Sequence, residues 1–277
     1  MSQAAAIHGD VIPPAVTRLY AGLDSGRVEE AAGAFAEQAV YAVPPPGEDE
    51  AAPRTVVEGR DAICRLFILR PFPAVRHQAL ICLREASSCL IEGSWHDRES
   101  DRVRGTFAVS IQLDGDGLIT RYLAFACEPV VEPGPVAGEG GGDAAAVVHR
   151  YFSALGDADF DAAAACFSER VMYSHPPYRA GGMSGSPRIV FNGRDELRRA
   201  FGTRGRTGYR HHMDVCLQSG PHCLFELHIP DLPEGRSGSG VSSLSLDADG
   251  LIERYVAFYC EPAIARRPKG LPRFSEP

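Results

Sequence analysis

The spacing of apolar and polar positions changes period several times along the chain, and the same series of changes occurs twice. In the later series, Ala144 to Leu155 carries apolar side chains at helical spacing, and Asp159 stands where a capping residue would open a second helix running toward Phe167. From Val171 to His175 the period is that of a strand, stopped by Pro176-Pro177, and a third helix is predicted after Gly193. Tyr209 to Leu217 and Cys223 to Ile229 read as a hairpin around Ser219-Gly220-Pro221. Val241 to Leu246 reads as another strand, and an Asp-Ala-Asp-Gly turn leads into a last strand, Leu251 to Cys260. Three helices followed by a long antiparallel sheet predict an α+β layer with the helices on one face of a curved sheet.

The repetition is a duplication. DGDGLITRYLAFACEP, Asp114 to Pro129, returns as DADGLIERYVAFYCEP, Asp247 to Pro262. Gly59-Arg60-Asp61 matches Gly193-Arg194-Asp195, Arg76-His77 matches Arg210-His211, and Cys82 and Cys89 match Cys216 and Cys223. Phe35, Tyr41 and Pro44-Pro45 match Phe167, Tyr173 and Pro176-Pro177. Two domains are expected, at 11–132 and 144–265, with a tail at 266–277. The Pro/Gly-rich segment 133–143 between them, including Gly140-Gly141-Gly142, has the composition of a flexible linker.

Composition narrows the function classes. The chain has 277 residues and 44% apolar side chains, with no run near the roughly 20 residues needed to cross a bilayer, so no membrane partner is expected. The first ten residues lack a basic segment followed by an apolar core, so a cytoplasmic location is the default expectation. A net charge of -8 with scattered arginines argues against nucleic acid as a partner. The eight cysteines include no CxxC and lie in apolar strand-like runs, so they are expected to be buried, reduced thiols.

HRYFSALGDADFDAAAACFSERVMYSHP, His149 to Pro176, resembles the opening of ketosteroid isomerases and SnoaL-like cyclases. The Gly-Arg-Asp-Glu helix start and the Asp-x-x-Gly-x-Ile turn extend the resemblance through both copies. It implies two tandem nuclear transport factor 2-like cones of the cystatin-like class, each with three helices on a curved antiparallel sheet around a ligand-sized cavity. It also implies cofactor-independent acid–base chemistry, cyclisation or isomerisation, on a small apolar metabolite such as a polyketide. A tandem pair is also similar to epoxide hydrolases of polyether type, and the fold hosts noncatalytic binding or scaffold proteins. The packing habit of single domains of this fold implies that the two copies form an intramolecular pseudo-dimer through their sheets, and leaves room for a further homo-oligomer.

By the same resemblance the general base, an Asp before Pro in the isomerases, falls at His175 in the second copy and Val43 in the first. The oxyanion-donating tyrosine falls at Tyr151 and Leu19, and the second oxyanion donor at Ser242 and Val109. The family register turns Arg210, His212, Asp214 and Cys216 into the cavity, with Tyr255 and Tyr259 from the last strand. His175, Tyr151, Asp214 and His212 are then the candidate catalytic residues, and Arg210, Tyr255, Tyr259 and Ser242 the candidate substrate contacts. The first copy offers Arg76, Gln78, Leu80 and Cys82 with Tyr122 and Ala126, a blander pocket. A register slip of one residue would instead bring in His211, Glu226 and His228, a trio able to bind a metal, although no metal or cofactor is the leading expectation.

Overall fold

The structure is a computed structural model describing residues 8–43, 55–69, 74–127, 140–176, 188–206, 208–232 and 236–260. Pro44-Pro45, Pro177, linker positions 133–139 and the tail at 266–277 lie outside the described residues. The described residues divide into two compact units, the first up to Cys127 and the second from Gly140 onward.

In the second unit, Asp143 accepts a hydrogen bond from the Ala146 backbone N–H and opens α4 (Ala144–Gly156); Asp159 does the same through Ala162 for α5 (Phe160–Ala165). β8 (Phe167–His175) and the short β9 (Ile189–Asn192) precede α6 (Arg194–Arg204). β10 (His212–Ser219), β11 (His222–Leu232), β12 (Arg236–Leu246) and β13 (Ile252–Cys260) follow. The sheet order is β10-β11-β12-β13-β8-β9. The expected antiparallel sheet is therefore mixed: β8 joins β13 in parallel, because three long antiparallel strands separate their chain positions and return β13 to the helical end. β9 was not foreseen; four residues are too few for a period to register. Nor are Gly140 to Gly142 free linker, since Gln218 donates to the Gly142 carbonyl and accepts from the Ala144 N–H.

The first unit repeats this plan with α1 (Pro14–Ser25), α2 (Val28–Ala32), β2 (Phe35–Val43), β3 (Thr55–Glu58), α3 (Arg60–Leu69), β4 (Val75–Glu85), β5 (Ser88–Asp97), β6 (Val103–Leu113) and β7 (Ile119–Cys127). A two-residue strand, β1 (His8–Gly9), adds to the β4 edge, and the order is β1-β4-β5-β6-β7-β2-β3.

Two repeated motifs have structural work. Asp114 and Asp247 each accept two backbone N–H bonds across their turns, from Asp116 and Leu118 and from Asp249 and Leu251. Gly117 and Gly250 follow at positive φ. Arg60 and Arg194 donate to the carbonyls of Phe35 and Phe167, tying each third helix to the first residue of β2 or β8. The core of the second unit is aromatic: Phe167, Phe201 and Phe225 are fully buried beside Tyr151, and each such ring contributes roughly 1.5–3 kcal/mol by burial.

Candidate functional site

In the second unit the inner face of the sheet, α4 and the end of α6 enclose a cavity of about 260 Å³. Tyr151 and Phe152 come from α4, Tyr173 and His175 from β8, and Arg204 from the last turn of α6. Tyr209 and His211 precede β10, Leu227 and Ile229 lie on β11, and β12 supplies Gly240 and Ser242. Tyr255 and Tyr259 complete the wall from β13.

The hydroxyls of this wall are paired. Tyr151 and Tyr173 meet at 3.3 Å, and Ser242 and Tyr255 at 3.2 Å. The Tyr173 and Tyr255 rings stack at 4.9 Å, and His175 lies parallel to Tyr173 with centroids 6.4 Å apart. Burial raises the pKa of Tyr151 and of Tyr255, so both phenols stay protonated and act as neutral hydrogen-bond donors. His175 Nδ1 lies 2.5 Å from the Pro176 carbonyl oxygen, which can only accept, so Nδ1 carries the proton and Nε2 the lone pair. Burial pushes the His175 pKa down to about 3, with the positive charges of Arg204 and Arg188 adding to the effect. His211, stacked on Phe152 at 4.3 Å, is lowered to about 3 for the same first reason, with Arg204 again contributing. Both imidazoles are neutral at pH 7. Arg204 itself donates to the Tyr209 hydroxyl and lies over that ring at 5.5 Å.

Of the residues expected from sequence, His175, Tyr151, Tyr255, Tyr259 and Ser242 come together at this cavity. Arg210, His212 and Asp214 do not. Met213 pairs with Leu227 and Val215 with Glu226, so two steps along β10 match one along β11, and a bulge falls at Asp214. The bulge reverses the alternation. Cys216, after it, packs on the core as expected, whereas before it His211 and Met213 face inward in place of Arg210 and His212. His228 Nδ1 lies 2.7 Å from Asp214 and stacks on His212, away from the cavity wall, and Glu226 does not line the cavity either. Neither proposed face is therefore correct as a set. Among the described residues no group of three His, Cys, Asp or Glu side chains is placed to hold a metal ion.

Sequence reasoning missed Tyr173, Tyr209, Arg204 and His211's place in the leading set. Tyr173 was accessible, since strand alternation puts it on the face of His175, two residues on. Arg204 gave no such signal, because a long side chain at a helix end can reach in several directions.

The thiol pairs are close without being bonded: Cys82 and Cys89 sulfurs are 3.8 Å apart, and Cys216 and Cys223 sulfurs 3.5 Å. No described helix is long and apolar enough to cross a membrane.

Residues 148–255 match the family model of the SnoaL-like domain. Solved structures similar to part of the chain include a ketosteroid isomerase so described from Kribbella flavida, with 22% identity over 47% of this chain and 93% of that one at a TM-score of 0.35. A protein with a cystatin-like fold from Methylobium petroleophilum matches with 19% identity over 47% and 80% at 0.35. An epoxide hydrolase/cyclase-like enzyme of pyran ring formation in the polyether salinomycin matches with 19% identity over 42% and 88% at 0.33. No curated protein matches the chain.

Proposed function

We propose that this chain, whose second half is a SnoaL-like domain, is a cofactor-independent acid–base enzyme that isomerises or cyclises a small carbonyl compound in the cavity of that half. The observation that carries the reading is the fixed tautomer of His175. With Nδ1 donating to the Pro176 carbonyl, the basic Nε2 belongs to a ring that lines a cavity walled by tyrosine hydroxyls. An imidazole so held can take a proton from carbon beside a carbonyl and return it elsewhere on the skeleton. The hydroxyls of the Tyr151–Tyr173 and Ser242–Tyr255 pairs are donors for the oxygen that gains charge as the proton leaves. No carboxylate is among the described residues of the wall, which favours this chemistry over epoxide opening by paired acids.

A second reading, a noncatalytic binding protein, is favoured by one observation. An imidazole whose pKa is lowered to about 3 is a weak base at pH 7, below the match that general-base catalysis prefers.

One experiment separates the two. The compound that accumulates when the gene is inactivated is isolated and offered to the purified protein. Conversion is expected, with His175→Ala slower by about 100-fold or more and Val43→Ala unchanged. Full turnover by His175→Ala would remove the base assignment, and tight binding with the compound returned intact would establish the binding reading.

A further inference from the structure

The charge of the cavity wall narrows what can occupy it. Its described lining contains one permanently charged group, the Arg204 guanidinium, and no Asp or Glu. The imidazoles of His175 and His211 are neutral at pH 7 and the phenols of Tyr151 and Tyr255 are protonated, so every other polar side chain there is uncharged. The field of the guanidinium reaches across the space, since it bears on His175, His211 and Tyr255 alike. On the wall, His175, Tyr173 and Tyr255 form a run of near-parallel rings, each 5° from the next, with the faces of Tyr173 and Tyr255 turned to one another. A volume of 260 Å³ lies just below the range occupied by drug-sized ligands, which suits two fused rings better than four.

We propose that this cavity is selective for an organic anion of about bicyclic size, its carboxylate held at Arg204 and its ring skeleton against the edges of the Tyr173 and Tyr255 rings. The proposal rests on the reading that this cavity is the functional site. Arginine suits the task because its charge persists at any physiological pH and its fork of N–H groups can grip two oxygens at once. The anion side of the ligand would sit toward Tyr209, whose ring already underlies the guanidinium. The apolar Leu227, Ile229 and Leu232 accept the remainder of the skeleton.

The test is calorimetric titration of the full chain with 2-naphthoate and with 2-naphthamide, which has the same shape and no charge. Naphthoate is expected to bind about tenfold or more tightly than the amide, the preference of a charge-assisted over a neutral hydrogen bond. Arg204→Gln should erase the preference and Arg204→Lys keep part of it. Arg198→Gln, on the exposed face of the same helix, should leave it intact. Equal affinity for the two probes, no binding of either, or a preference that survives Arg204→Gln in a folded protein would each overturn the proposal. Those outcomes leave the role of His175 untouched, since that role is read from turnover and not from the choice between naphthoate and naphthamide.

Discussion

Where the second unit pairs Leu227 with Gly240 across two strands, the first pairs Gly93 with Phe107. The exchange is reciprocal. Gly240 and Leu227 both line the cavity, and a Cβ at 240 would lie 2.5 Å from the Phe258 carbonyl oxygen. In the first unit the Phe107 ring turns inward over Gly93, so closely that a Cβ there would lie 2.4 Å from it. Trp95 packs on Phe107 at 5.4 Å, where the second unit has the smaller Ile229 at the matching place. Val43, Leu19 and Ala126 stand in turn where His175, Tyr151 and Tyr259 line the cavity. Duplication thus let one scaffold follow two courses, with Val43, Leu19, Ala126, Phe107 and Trp95 in one copy at the positions where the other lines its cavity with His175, Tyr151, Tyr259, Gly240 and Ile229.

The largest expected effect comes from removing the Phe107 ring. Phe107→Ala should destabilise the first unit by about 3–5 kcal/mol, the usual cost of removing a buried aromatic ring and leaving a void. Trp95 is the one tryptophan of the chain and touches Phe107, so its fluorescence in urea reports this unit selectively. A loss under 1 kcal/mol would mean that the ring is not what fills the space.

How much of this was legible without coordinates depended on the range of the signal. The repeat showed the element order, because strand and helix periods survive divergence, and two residues singled out by the resemblance, His175 at the end of β8 and Tyr151 within α4, both line the cavity. What failed was the facing of β10. A period of two cannot reveal a single extra residue, and the bulge at Asp214 turned Arg210 and His212 outward. The first unit carries a bulge at the matching place, between Ala79 and Ile81, so the comparison of copies that found the domains could not expose the error. Contacts between distant elements were silent as well: nothing near Asp24 announces His77.

Acid should act on the second unit in a way tied to its two half-buried imidazoles. The pKa of His175 and His211 is about 3 in the folded protein, below the value near 6.5 of an exposed imidazole. Between those values the unfolded chain binds more protons, so stability is fully present above pH 6.5 and is lost as pH falls toward 3. At pH 5 each group is expected to cost on the order of 2 kcal/mol relative to pH 7. His175→Val, the residue type of the first unit, should flatten the fall, measured as urea midpoints at pH 7, 6 and 5. Identical slopes in the variant and the parent would show that His175 is not held in its neutral form.

The smallest effect concerns a polar feature that the first unit keeps alongside Tyr41 and Tyr122, the counterparts of Tyr173 and Tyr255. His77, the counterpart of His211, lies with Nδ1 2.5 Å from one oxygen of Asp24, while its backbone N–H donates to the other at 3.0 Å. Its ring stacks on Tyr20 at 4.9 Å as His211 stacks on Phe152. The side chains are 11% and 20% exposed, so the bonds tie the end of α1 to β4 in a half-shielded place. Asp24→Asn keeps the shape but replaces one charged acceptor by an NH₂ group, so the charge-assisted bond is lost and the His77 ring must carry its proton on Nε2 to accept from it. A loss of about 1 kcal/mol is expected, the difference between a hydrogen bond to a charged group and one between neutral groups. It should appear in the Trp95 transition, since Trp95 lies 6.4 Å from His77, with no change in ligand binding by the second unit. The reverse exchange sharpens the contrast. Gly156 occupies the place of Asp24, and a Cβ added there would meet nothing within 4 Å, so Gly156→Asp is sterically open. A carboxylate beside His211 favours its protonated form and should move its titration, followed by NMR, upward from about 3 toward the ordinary range. A His211 titration that stays in place would show that the two rings share a stacking partner but not a common geometry at the end of the first helix.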